Sequence, residues 1–145
     1  MYKRQPPRHA RDSLKFRKRF LQRLKPDTVG DRAGWLRFVL IKADVGNARA
    51  MAPRLAPGAV LLLDRHYNSL HPYQPEATNI YAVRDGTRCL VRYVAVSPDR
   101  IILRPHNSDW PVELVEIAHD KGFAEYIVGR VCHICLLYTS DAADE

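Results

Sequence analysis

Apolar residues along this 145-residue chain come in short runs separated by turn residues, the pattern of a strand-rich protein. Residues 35–43 are rich in β-formers and predict a first strand, which Asp44-Val45-Gly46-Asn47 then turns. A turn-rich stretch ending in Pro57-Gly58 feeds residues 59–63, an almost unbroken apolar run that predicts a buried strand. An aromatic, proline-punctuated loop follows at 66–75. The clearest hairpin comes next: residues 79–84 and 88–96 flank Asp85-Gly86, a pair that favours the primed turns whose twist matches paired strands. Ser97-Pro98-Asp99-Arg100 predicts another turn and residues 101–104 its return strand. Residues 112–117 predict a short strand and 126–136 a final one, with loops at 105–111 and 118–125. Nothing in this body predicts a convincing helix, so the expected fold class is mainly β.

Helical periodicity is confined to the amino-terminal segment. Asp12 or Ser13 can cap a helix over about 13–25, which Pro26 ends. Leu14, Phe16, Phe20, Leu21 and Leu24 fall roughly on one side, while Lys15, Arg17, Lys18, Arg19 and Arg23 cover the rest. Charge follows the same division. Of a net +7, residues 1–25 hold ten Lys and Arg against one acid, and the remainder holds thirteen against fifteen. The basicity therefore belongs to a leader, and those five cations are the candidate DNA or phosphate contacts. The plainer alternative is a solvated linker helix whose apolar stripe packs locally.

No run approaches the ~18 apolar residues of a membrane span, and no charged-then-apolar leader opens the chain. A cytoplasmic protein without membrane contact is the expectation. Residues 1–5 and 137–145 resemble translated sequencing read-through, which leaves a basic linker at 6–34 and a folded domain at 35–136. Cys132-His133-Ile134-Cys135 has C-x-x-C spacing, but it lies in a predicted strand, where side chains three apart point to opposite faces. With no second ligand pair, half-buried strand thiols are expected, with no metal and no cofactor.

The motif Met51-x-Pro53-x-Leu55-x-x-Gly58, followed by Leu61-Leu62-Leu63-Asp64-Arg65, resembles the active-site segment of LexA-type and phage-type repressors. Further features fall in the same order: the Asp85-Gly86 hairpin, Leu90-Val91-Arg92-Tyr93-Val94, Leu103-Arg104-Pro105-His106-Asn107 with Trp110-Pro111, and Ile127-Val128-Gly129-Arg130-Val131. The resemblance covers most of residues 35–136. It implies a strand-rich domain that dimerises, often as the carboxy-terminal half of a repressor whose other half is helix-turn-helix. It also implies self-cleavage by a serine and a lysine, the lysine serving as a neutral base because burial lowers its pKa.

This sequence departs from the family at both positions. The serine position is Ala50, which has no nucleophilic atom, and the lysine position is Arg92, whose guanidinium stays protonated. The family glycine two before the nucleophile is Ala48. The resemblance thus implies an inactive relative: a regulatory, dimerising domain whose DNA-binding half lies upstream of this fragment. Two other readings stay open. One is a peptidase with a different nucleophile, with Ser69 and Ser108 as the candidates. The other is a stand-alone β module whose basic leader touches nucleic acid. Arg92 itself either faces the former cleft, paired with Asp44, Asp64 or a partner's carboxylate, or lies on an edge strand in solvent. The Ala33-Gly34 dipeptide matches the family's usual cleavage bond, but it sits only 16 residues before Ala50 and is read as coincidence.

Overall fold

In the computed structural model of the protein, residues 18–72 and 80–135 are described. Lys15, Arg17 and the two ends read as non-native fall outside them. The fold is mainly β, as the sequence pattern predicts. Seven strands form one antiparallel sheet: β1 (Phe38–Lys42), β2 (Val60–Asp64), β3 (Ile80–Asp85), β4 (Arg88–Ser97), β5 (Arg100–Arg104), β6 (Glu113–Glu116) and β7 (Ile127–Cys135). Their order across the sheet is β1-β2-β7-β3-β4-β5-β6, so the last strand in sequence lies near the middle and β1 and β6 are the edges.

Burial follows from that order. Every residue of β2 is buried, because β1 and β7 flank it and both faces are covered. β3 alternates its side chains between two cores. Ile80 and Ala82 pack with Met51, Leu55, Leu61, Leu63, Val91 and Val131 on one face. Tyr81 and Val83 pack with Tyr67, Leu90, Ile101, Leu103 and Ile127 on the other.

Two glycines meet backbone demands. Gly58 takes φ +83 in the turn before β2 and donates its N–H to the Ala43 carbonyl at 2.9 Å. At Gly129 a Cβ would stand 2.6 Å from the Asp64 carbonyl oxygen, so β7 crosses β2 this closely only with glycine there.

Two helices accompany the sheet. The helix α1 (Lys18–Arg23) carries the basic residues Lys18, Arg19 and Arg23 of the predicted leader helix. Its end is tied to the body: Leu24 is buried, and Arg37 donates from Nη2 to the Leu24 carbonyl and bidentately to Asp64. The polar connector after it is stitched down as well. Asp27 forms a bridge with Tyr67, and Asn68 exchanges side-chain hydrogen bonds with the Val29 backbone.

The second helix, α2 (Val45–Ala50), stands where a turn is predicted. Asp44 caps it, its Oδ1 accepting the Asn47 N–H at 2.7 Å. Gly46 and Asn47 are poor helix formers, and what holds the turn of helix is tertiary. The Asn47 carboxamide reaches across to β4, donating to the Cys89 carbonyl and accepting from Val91 N–H.

Candidate functional site

Asn47 is also the entry to the site. Its Oδ1 accepts a second hydrogen bond, 2.8 Å long, from Arg92 Nη1. Arg92, in the middle of β4, is only 2% exposed. Its Nη1 also donates to the Val91 carbonyl, and its Nη2 donates at 3.0 Å to Glu113 Oε2 on β6. The Glu113 carboxylate is shared: Trp110 Nε1 donates to the same oxygen at 3.3 Å, and Arg88 lies 3.6 Å from the other. The Nε of Arg92 is buried with no partner.

Arg92 faces a cleft, as one reading expects, but not with the partners that reading named, and the solvent reading is corrected. It neither pairs with Asp44 or Asp64 nor lies in solvent. Asp44 is occupied as the α2 cap and Asp64 by Arg37, while β5 brings β6 round so that Glu113 becomes the counter-ion. No sequence signal marks Glu113, because its distance along the chain says nothing about a sheet that folds back on itself.

Beside this network lies a cleft of roughly 740 Å³, within the range of small-molecule sites. Lys42 from β1, Asn47 from α2, Arg88, Cys89 and Arg92 from β4, and Trp110 near β6 line it. Elements from both ends of the sheet thus face one opening. Ala50 does not line it. Its side chain is fully buried, and its carbonyl accepts the N–H groups of both His106 and Asn107 at 3.0 Å. Asn107 Nδ2 adds a bond to the Arg49 carbonyl, and Tyr93 OH lies 2.8 Å from His106 Nδ1. The His106-Asn107 loop is therefore clamped over the end of α2.

The other motif residues are structural in what they touch. Met51 is fully buried in the first core, and Pro53, after a cis peptide bond with Ala52, is exposed. The alternative nucleophiles sit in capping positions. Ser69 Oγ accepts the His71 N–H at 3.2 Å and also hydrogen-bonds Asp27. His71 Nδ1 meets Asp27 at 2.8 Å, but no hydrogen bond among the described residues joins Ser69 to that ring. The His71 contact, helped by Ser69, holds the Asp27 carboxyl below its ordinary pKa. Ser108 is exposed in the loop before Trp110.

A second buried arginine emerges that the sequence does not flag. Arg32, 5% exposed, donates to four carbonyls: Arg65, Val128, Ala124 and Ile127, at 2.6–3.0 Å. Burial and the neighbouring Arg65 charge lower its pKa from the ordinary value. The Arg32 and Arg65 guanidinium groups both lie over the Trp35 ring, at 4.3 and 4.8 Å from its centroid. The Ala33-Gly34 dipeptide is exposed in the turn closed by Trp35 N–H on the Arg32 carbonyl.

Cys132 and Cys135 are half-buried on β7. Burial pushes the Cys132 thiol up to about 12, and its sulfur contacts the Leu62 carbonyl. Among the described residues no group of three or more His, Cys, Asp or Glu is placed to hold a metal, and no helix is long and apolar enough to cross a membrane.

Fold and site define a mainly β, antiparallel-sheet protein with a cleft beside a buried arginine paired to a partly exposed glutamate. No family model matches the chain, and no curated protein matches it.

Proposed function

We propose that the chain is the regulatory and dimerising domain of a LexA-like transcriptional regulator that does not cleave itself. It acts in the cytoplasm, with DNA held mainly by an upstream helix-turn-helix domain. The observation that carries this reading is Arg92. At the position where the resemblance places a neutral lysine base, a guanidinium is fixed between Asn47 and Glu113 in a buried, charged state. Ala50 offers no hydroxyl and is sealed under the His106-Asn107 loop. Ala33-Gly34 lies in an exposed turn of the connector and is not among the residues that line the Arg92 cleft.

The dimer reading draws on the sheet edges. Leu40 on β1 and Leu114 on β6 are exposed beside edges left unpaired among the described strands, with Leu36 and Val112 next to them. Exposed apolar side chains along a sheet edge offer a surface that a second copy can pair with. Two-fold pairing would give a regulator the symmetry of a palindromic operator.

Two measurements test the reading. Prolonged incubation at alkaline pH, followed by intact-mass spectrometry, is expected to return one uncleaved species; a discrete internal fragment overturns it. Sedimentation at tens of micromolar is expected to find a dimer, and a monomer at all concentrations removes the dimerising role.

A further inference from the structure

The hydrogen bonds at the two ends of β1 fix which of its backbone groups face outward. Arg65 N–H donates to the Arg37 carbonyl at 2.7 Å, and Ala43 N–H donates to the Ala59 carbonyl at 2.8 Å. Both pairs continue the β1–β2 register, so residues 37, 39, 41 and 43 turn their N–H and C=O groups toward β2. Phe38, Leu40 and Lys42 turn theirs the other way, where no other described strand stands. The register runs without a bulge and no proline interrupts Phe38–Lys42, so β1 lacks two common devices that keep a strand edge from pairing. Val39 and Ile41 pack against the first core, which places Phe38, Leu40 and Lys42 on the outer face. Leu40 is exposed at the centre of the strand, and Leu36 and Val45 are exposed just beyond its two ends.

This edge is complementary to itself. An antiparallel copy related by a two-fold axis at Leu40 sets Leu40 against its own counterpart and Phe38 against Lys42 of the second copy. Every outward residue of β1 then meets an outward residue, with two backbone hydrogen bonds to a pair. No like charges are set opposite each other: the aliphatic stem of Lys42 covers a Phe38 ring, and Arg37 is already held by Asp64. Leu36 comes to the end of the paired strands where Val45 of the second copy stands.

The opposite edge does not repeat this. Ile117 N–H donates to the Asp99 carbonyl at 3.0 Å, so residues 113, 115 and 117 face β5, and Leu114 and Glu116 face outward. Pairing β6 with its own copy sets the Glu116 carboxylate against Val112, Leu114 or another Glu116, according to register, and the strand has only four residues. Pairing β1 with β6 of a second copy leaves both outer edges open and builds chains in place of closed dimers.

We propose that a second copy of this chain docks on β1, antiparallel and centred on Leu40, so that two sheets join into one. The inference rests on the dimer reading above and names the surface that serves it.

The test uses the full chain, Leu40→Lys, and Leu114→Lys as the matching change at the exposed β6 position. Sedimentation equilibrium over a range of concentrations reads the dimer dissociation constant. Leu40→Lys sets two added ammonium groups face to face and is expected to raise that constant roughly tenfold, whereas Leu114→Lys leaves it unchanged. Oxidative cross-linking of Leu40→Cys and Leu114→Cys, with the wild type as background, tests the geometry separately. At the two-fold axis the paired Cα atoms stand about 5.5 Å apart, within disulfide reach, so Leu40→Cys is expected to cross-link faster than Leu114→Cys or the wild type. A wild-type dimer that Leu40→Lys leaves intact, or that cross-links no faster in Leu40→Cys than in Leu114→Cys, overturns the inference while the dimer reading stands. Species that grow beyond two copies with concentration overturn it as well. A wild type that is monomeric at every concentration removes the dimer reading and this inference with it.

Discussion

Two sides of the sheet each bury an arginine, and they bury it for different ends. On the connector side Arg32 is surrounded by four backbone carbonyls and no carboxylate, and the groups it joins come from the connector, the loop after β2 and the approach to β7. On the cleft side Arg92 has a carboxylate partner that is itself 24% exposed, an unpartnered Nε, and a cavity alongside. The first is sealed and acts as a clamp. The second is satisfied in part, by a group that can turn to water, which is the arrangement of a site more than of a core. Burial of charge alone does not separate the two; the identity and mobility of the acceptors do.

The largest effect expected from this contrast is at Arg32. Arg32→Met removes one donor from each of four carbonyls, of which Ala124 keeps Asn68 Nδ2, and is expected to cost about 3–5 kcal/mol in denaturant unfolding. Arg92→Met is expected to cost less, about 2 kcal/mol, because Glu113 can rehydrate and Asn47 keeps its bonds to Val91 and Cys89. If Arg92→Met proves the more damaging, the contrast is reversed and the cleft is the structural centre.

Gly129→Ala sharpens the sealed side. The added methyl meets Asp64 backbone, which cannot rotate away, so a loss of about 1–3 kcal/mol is expected by the same measurement. A tolerated alanine would show that β7 and β2 separate more readily than the clamp implies.

The smallest expected effect contrasts two thiols. Cys89 is exposed in the cleft, its thiol raised by desolvation but opposed by the Arg84 charge, whereas Cys132 is half-buried with its thiol raised to about 12. At pH 8 an alkylating reagent is expected to modify Cys89 well before Cys132. Because the folded Cys132 pKa lies above the unfolded value, its contribution to stability is full below about pH 9 and falls as pH rises toward 12. By pH 10 the loss is about 1 kcal/mol, measured as the difference in pH dependence between wild type and Cys132→Ala. Equal slopes for the two proteins would show that this strand is open to solvent.

Much of the fold was legible along the chain. All seven strands coincide with predicted runs to within about three residues at each end, because alternating and continuous apolar runs report burial directly. The predicted turn at Asp44 is a helix, because Asn47 gains three hydrogen bonds on β4 that local propensity cannot register. At the site, sequence resemblance singled out position 92, and the structure supplies its surroundings: Asn47 from α2, and Glu113 with the nearby Trp110 from β6 and the loop before it, both distant from Arg92 along the chain. Arg32 carried no signal at all, being one basic residue in a polar connector.

The sequence by itself determined that the chain makes strands, that a hairpin closes around Gly86 (through Gly86-Thr87, one residue beyond the expected Asp85-Gly86 pair), and that neither a hydroxyl at 50 nor an amine at 92 exists. Those are properties of residue types and near-neighbour spacing. Only the tertiary structure decided which carboxylate meets Arg92, that Ala50 lies beneath a loop and outside the cleft, and that the connector is bound to the body. Those depend on the sheet order, in which β7 enters between β2 and β3 and both edges reach one opening. Pairings between strands distant in sequence arise from packing the whole sheet, and no local pattern records them.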